Sequence, residues 1–294
     1  MIKIVTHSGS FHTDEVFAVA TVILALKPEE KFSITRTRDK EFFSEADYLI
    51  DAGGEYDPGQ RRFDHHQPGG AGKRENGIPY ASFGLVWKEY GLQICGSQEI
   101  VDTLERKLVL FVDALDNGIN IAEPIFTDIR PYTISDYLFS YWIDEQVEAE
   151  EVDRIFHRVM SLAKDLIRRE IEKAKKIIED SKLVEVIYNE TEDKRLIVLD
   201  KHLAWGKILV EKKEPLVVVF PSPSGLWYTQ TVRTDLNGFG RRISFPEAWA
   251  GKTDGELAEL SRVEDAVFCH AGRFLAVAKT KEGAIKLAKC LLMN

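Results

Sequence analysis

The chain of 294 residues exceeds the size at which one hydrophobic core is comfortable, so two domains are the default reading. Hydrophobic content of 44% and charged content of 30% are ordinary for a soluble globular protein, and no stretch has the apolar length of a membrane span. The net charge of −9 excludes a global basic field that would draw in nucleic acid.

Residues 2–6 have a short buried-strand pattern and read as a first strand, not a signal peptide. A polar loop, His7-Ser8-Gly9-Ser10-Phe11-His12, leads into a predicted helix over 14–26, with Thr13 as N-cap and Pro28 beyond its end. Residues 32–37 alternate like a strand. Tyr48-Leu49-Ile50 is a second apolar run, ending at Asp51-Ala52-Gly53-Gly54. Residues 80–90 and 99–115 have helical spacing. Strands alternating with helices predict an α/β domain with a mainly parallel sheet, which binds ligands outside the carboxyl ends of its strands. A long helical tract runs from Ser135 to about Lys182, its charges on a solvated face and its surface offering a homodimer contact. Residues 183–188, 195–200, 215–220 and 226–234 read as strands and 282–293 as a last amphipathic helix, a smaller α+β domain. The expected domains are 1–134, a helical connector 135–182, and 183–294. Cys95, Cys269 and Cys290 form no CxxC pair, and their odd count argues against a disulfide framework and for a cytoplasmic location.

Charge is uneven along the chain: residues 201–294 carry 14 Lys/Arg against 10 Asp/Glu, which leaves −13 on the first 200. An acidic front suits cation binding and a mildly basic rear suits an anionic substrate. Four of the seven histidines sit in two clusters in that front part. The first is His7-x4-His12-x-Asp14, after a strand and at a helix start; imidazole and carboxylate together suit manganese, iron, zinc or cobalt. Glu15 reads as first-turn charge at a helix N-terminus. The second is Asp64-His65-His66, with Asp51 before it at a strand end. Adjacent side chains diverge, so one histidine can hold a metal while the other meets substrate. Asp113-x-x-Asp116 adds two carboxylates on one helix face, of which one could bridge metals. Surface histidines, a turn-starting Asp51 and a helix end capped at Asn117-Gly118 are the plain alternatives.

In this order the motifs resemble those of the DHH phosphoesterase superfamily. The first motif is stretched by one residue, with His12 as its middle ligand, which resembles the melanocyte-proliferating-gene (Myg) family of metal-dependent hydrolases. The phrases Thr6-His7-Ser8-Gly9-Ser10-Phe11-His12-Thr13-Asp14-Glu15, Phe63-Asp64-His65-His66, Val112-Asp113-Ala114-Leu115-Asp116-Asn117-Gly118 and Phe268-Cys269-His270-Ala271-Gly272 carry the resemblance over nearly the whole chain. It implies a DHH-type N-terminal domain that binds two divalent ions, manganese, through His7, His12, Asp14, Asp51, Asp64, His65 or His66, and Asp113 or Asp116. Asp51 would be the bridging carboxylate. It also implies phosphoester hydrolysis in which a water acidified between two ions attacks phosphorus in line. Asp64, His65 and His66 would be the catalytic residues, with His66 binding a phosphoryl oxygen or protonating the leaving group. The substrate would be RNA or a short oligonucleotide degraded 3′-5′, with a small phosphoester (pyrophosphate or a nucleotide) or metal and RNA binding without turnover as the other readings.

In related enzymes a Gly-rich motif with a histidine grips a terminal phosphate; here His270, Gly272 and Arg273 match it in part, without the run of glycines. Arg233, Arg241 and Arg242 are further phosphate candidates, because guanidinium donates a planar fork. Trp205, Trp227 and Trp249 could stack a base or fill a core.

Overall fold

The computed structural model describes residues 1–142 and 148–293. The chain divides into two compact units, Met1–Ala174 and Lys175–Asn294. The first runs β1 (Ile2–Thr6), α1 (Thr13–Ala25), β2 (Phe32–Arg36), α2 (Lys40–Glu45), β3 (Tyr48–Ile50), β4 (Tyr56–Asp57), β5 (Arg62–Phe63), α3 (Ser82–Cys95), α4 (Gln98–Leu104), α5 (Leu110–Asp116) and α6 (Ile134–Phe139). A π-helical turn, Glu105–Val109, joins α4 to α5. Helix α7 (Ala149–Glu190) then carries the chain past the boundary between the units.

The strand order of the first sheet is β2-β1-β3-β5-β4. Its central pairings are parallel and only the edge strand β4 is antiparallel, so the expectation of a mainly parallel sheet holds. The chain leaves β1 on one side for β2 and returns on the other as β3. Between β1 and β3 the direction of winding reverses, and such a switch opens a crevice at the strands' carboxyl ends. The register makes that crevice specific: Thr6 lies opposite Ile50, and Ile50 opposite Phe63. The residues that follow, His7, Asp51 and Asp64, leave three adjacent strands at one level.

Helix α1 begins one residue earlier than expected, and its N-cap is His12 with no side-chain cap bond. Thr13 is not the cap; it lies inside the helix, and its hydroxyl donates to Ser135 Oγ at 2.9 Å. All of Thr13 to Val22 is buried, as in a helix enclosed on every side. Phe17 packs on Phe83 of α3 with ring centroids 5.1 Å apart.

The second unit runs β6 (Leu196–Val198), α8 (Gly206–Glu211), β7 (Val217–Pro221), β8 (Trp227–Thr231), α9 (Asp254–Ser261), β9 (Ala266–Cys269), β10 (Leu275–Ala278) and α10 (Lys281–Met293). Its sheet order is β6-β7-β8-β10-β9, with only β6–β7 parallel. Alternate residues of β7 feed two cores. Val217 and Val219 join Leu287 and Leu291 of α10, while Val218 and Phe220 join Ile197 and Leu199. Trp205 and Trp249 are buried in these cores, and Trp227 packs against one.

Two elements differ from the sequence expectation. The strand expected at 183–188 is the end of α7: Val184 and Tyr188, one helical turn apart, bury together against Val218 and Phe220. A short apolar run fits either period, and here the helix continues because its i, i+4 pair meets the sheet. The helical tract expected from Ser135 becomes α6 and α7, with residues 143–147 outside the described ones.

Candidate metal centre

Asp51 is the hub of the crevice. It takes a left-handed backbone, φ 52°, a conformation that a non-glycine residue adopts at a cost of about 1–2 kcal/mol and that Asp and Asn tolerate best. Gly53 and Gly54 continue the turn at φ 96° and 69°, which lets the Gly54 amide donate to Asp64 Oδ2 at 2.6 Å. The carboxylate itself is held by the Ser82 hydroxyl at 2.9 Å, from the start of α3. His7 Nε2 lies 3.2 Å from Asp51 Oδ2 and 3.1 Å from Glu15 Oε2. His65 Nε2 lies 3.4 Å from Asp51 Oδ1 and 3.2 Å from Asp116 Oδ2, at the end of α5. His12 Nδ1 is 3.7 Å from Asp116 Oδ1.

Three groups of side chains have donor atoms close enough to share an ion: His7, Glu15 and Asp51; Asp51, His65 and His66; and His12, Asp14 and Asp116. Asp51 belongs to two of them. Asp14 Oδ1, Glu15 Oε2, Asp51 Oδ2 and His65 Nε2 are buried with no hydrogen-bond partner among the described residues. Buried polar atoms are normally satisfied, so converging orphans of this kind fit a cation held between them. The donors are oxygen and imidazole nitrogen with no thiolate, a set that suits manganese, iron or zinc.

The electrostatics agree. Burial disfavours a charged His7, but the Asp51 and Glu15 carboxylates override it and push the imidazole up to about 10. Burial is overridden at His65 in the same way by Asp116 and Asp51, again up to about 10. Burial would raise Asp51, yet His65 and His7 hold it far below the usual carboxylate range. Asp14 goes the other way: burial and the neighbouring Asp51 and Asp116 charges push it well above that range. In the metal-free protein, protons therefore stand where a cation would. A metal needs neutral imidazole and ionised carboxylate, so its binding must expel those protons. Protons should leave His7 and His65 when a divalent ion binds at neutral pH, and apparent affinity should rise with pH through the neutral range. Calorimetric titrations in buffers of different ionisation enthalpy measure the release; a pH-independent affinity would contradict it.

Of the two carboxylates on α5, Asp116 faces this cluster and Asp113 does not. Asp113 is fully buried against Arg74 Nη2 at 2.8 Å and accepts from the Gly84 amide at 3.0 Å. Asp64 is buried and holds the exposed His66, whose Nδ1 is 2.7 Å from Asp64 Oδ1; that hydrogen bond raises the His66 pKa. Three participants escaped the sequence reading. Glu15 is in the first turn as expected, but it is fully buried, accepts from the Thr6 hydroxyl at 2.7 Å and faces His7. Ser82 positions Asp51. Arg38 lines a cleft of about 420 Å³ with His7, His12, Asp64 and His66, its Nη2 3.5 Å from His7 Nδ1. The apolar run after Glu15, broken only by Thr21 as far as Leu26, was the available signal for a buried α1; nothing in the sequence marked Ser82 or Arg38.

The four substrate-binding candidates belong to the second unit. His270, Gly272 and Arg273 form the β9–β10 turn, where the Gly272 amide donates to His270 Nδ1 at 2.9 Å and Arg273 takes φ 55°. Arg233 pairs with Arg241 in an isolated antiparallel bridge, and Arg241 lies over the Phe274 ring at 4.8 Å. Arg242 is structural: it donates to the carbonyls of Pro215 and Val210 at 2.9 and 2.6 Å.

The family model MYG1_exonuc, described as "Uncharacterised protein family (UPF0160)", matches residues 3–292. The chain belongs to the MYG1 family. Similar MYG1-family proteins include the "MYG1 protein" of Dictyostelium discoideum, 32% identical over 98% of this chain and 95% of the relative. That of Chlamydia pneumoniae is 32% identical over 98% and 96%. The Homo sapiens relative, 27% identical over 99% and 85%, is named "MYG1 exonuclease". No solved structure matches the chain.

Proposed function

We propose that this MYG1-family chain is a metal-dependent phosphoester hydrolase, a 3′-5′ exonuclease or oligonucleotide phosphodiesterase acting on RNA or short oligonucleotides. The observation that carries the reading is Asp51, one buried carboxylate shared between the His7–Glu15 and His65–His66 groups at the switch point of the sheet. The exonuclease names of the mammalian relatives support the nucleic-acid substrate. The resemblance to DHH phosphoesterases supports a pair of ions, manganese by that resemblance. His7, Glu15 and Asp51 would hold one, and Asp51, His65, His12, Asp14 and Asp116 would supply the ligands of the other. Asp113 is left out, because Arg74 and Gly84 already engage it.

Bound at these residues, the ions would supply Lewis-acid chemistry, acidifying a water and neutralising phosphoryl oxygens. The chain's own groups do the rest. Arg38 at the mouth of the cleft offers a guanidinium to a non-bridging phosphate oxygen. Asp64 fixes the His66 ring and favours its cationic form, so His66 can donate a proton to a phosphoryl or leaving oxygen. The turn with His270, Gly272 and Arg273, together with Arg233, would grip a substrate phosphate. No helix of the described residues is long and apolar enough to cross a membrane.

The test is a substrate panel with Mn2+: RNA, DNA, dinucleotides, cyclic dinucleotides and pyrophosphate. The expected result is stepwise release of nucleotides from the 3′ end of RNA, lost with EDTA and restored by Mn2+. Hydrolysis of pyrophosphate alone would favour a small-molecule phosphoesterase, and binding of RNA with no turnover of any substrate would favour a non-catalytic protein.

A further inference from the structure

His12 borders two kinds of space. On one side is the polar cleft that holds Arg38, Asp64 and His66. On the other are two largely apolar cavities that share Phe139 as a wall. One, of about 300 Å³, is lined by Val112, Leu115 and Phe139 with Asp116 at its edge. The other, of about 520 Å³, is lined by Phe11, Phe139 and Trp142. A charged metal cluster that opens directly onto aromatic walls asks for a ligand with the same division.

Phe139 is 39% exposed, although a large aromatic side chain gains from burial. The exposure is held in place. Its ring stacks on Phe11 at 6.3 Å and 19°, and Phe11, fully buried, packs in turn against Phe156 at 5.7 Å. The short helix α6 that carries it is fixed by a capping box between Thr133 and Asp136. Arg130 pairs with Asp136 through two hydrogen bonds, and Ser135 is tied to Thr13. One face of Phe139 thus rests on a rigid stack and its remaining surface borders the cavities.

We propose that this space is a nucleobase subsite: the base of the nucleotide whose phosphate lies at the metal centre stacks on Phe139. The proposal rests on the hydrolase reading and names which part of the substrate goes where. A planar, unstacked base matches a rigid planar platform, and stacking tolerates every base because each has a π-face. Ser135, which accepts the Thr13 hydroxyl proton, keeps its own hydroxyl proton for a base edge in the smaller cavity. The substrate must then be single-stranded at the cleaved nucleotide, because a paired base has no free face to offer.

The experiment compares, with Mn2+, the dinucleotide ApA, the two analogues that lack one base, and an analogue with a hexyl chain in place of a base. Removing the base that occupies the subsite should lower kcat/KM roughly tenfold in the wild type, and this ratio should collapse to about one in Phe139→Ala while Phe139→Trp keeps it. A ratio unchanged by Phe139→Ala, or a hexyl analogue cleaved as well as ApA, overturns the subsite. A dinucleotide carrying 2-aminopurine separates this from failure of the hydrolase reading. If nothing is cleaved, quenching of its fluorescence by the wild type and not by Phe139→Ala still supports the subsite, and absence of quenching overturns it.

Discussion

Asp51→Asn is expected to abolish the proposed Mn2+-dependent hydrolysis while the fold survives. Asparagine keeps the shape, tolerates φ 52°, and can still accept the hydrogen bond from Ser82. What it removes is the one charge placed between His7 and His65. Loss of a supporting group around a metal costs about 10- to 100-fold, and losing a shared ligand should exceed that, with a matching fall in bound divalent metal. His7 and His65 should also lose part of the carboxylate support that holds their protons, so their pKa values should fall. Metal content by elemental analysis and imidazole titration by NMR read the two effects separately. Full activity, or an unchanged metal content, would contradict the role of Asp51.

Arg74→Met is expected to have the largest effect on stability. Arg74 lies in the segment between His66 and α3, and its guanidinium is nearly buried against Asp113, Glu105 and the Tyr80 ring. Removing one partner of a buried pair costs about 3–5 kcal/mol, because the other charge is left without compensation. Burial already pushes Asp113 up to about 7 with Arg74 beside it. Without Arg74 the carboxyl takes up a proton at neutral pH, and its folded pKa lies further above the unfolded value of about 3.9. An acid whose folded pKa is raised destabilises the fold increasingly as pH climbs from the unfolded pKa to the folded one. The variant should therefore melt closer to the wild type at pH 5 than at pH 8, and Arg74→Met with Asp113→Asn should recover part of the loss. An equal deficit at both pH values would mean that packing, not charge, is what Arg74 supplies. Because Asp116 follows Asp113 by one helical turn, the same variant should also weaken Mn2+ binding.

The strand ends were the legible part of this site. An apolar run that stops at His7 or at Asp51 announces a polar group at the edge of a sheet, and Asp64-His65-His66 is conspicuous in any context. The choice between Asp113 and Asp116 was not legible. Both lie on α5, and which one faces the His65–Asp51 cluster depends on how that helix is rotated, which Arg74 and Gly84 set from segments distant in sequence. Glu15 does lie in the first turn of α1, as expected, but its burial beside His7 was not legible, because nothing local shows that α1 is enclosed there. The end of α7 was misread as a strand because Val184-Glu185-Val186 alternates, while the i, i+4 pair Val184 and Tyr188 found its partners only in the folded sheet.

The left-handed backbone at Asp51 also bears on how this position can vary. A library randomised at this codon and selected for folding alone would already be narrowed towards Gly, Asn and Asp, since other side chains meet a steric penalty there. Of those three only aspartate carries a charge. Glutamate, the obvious chemical substitute elsewhere in a metal site, is disfavoured here by the main chain before its coordination is ever tested. Conformational and chemical selection thus converge on a single amino acid at the centre of the crevice.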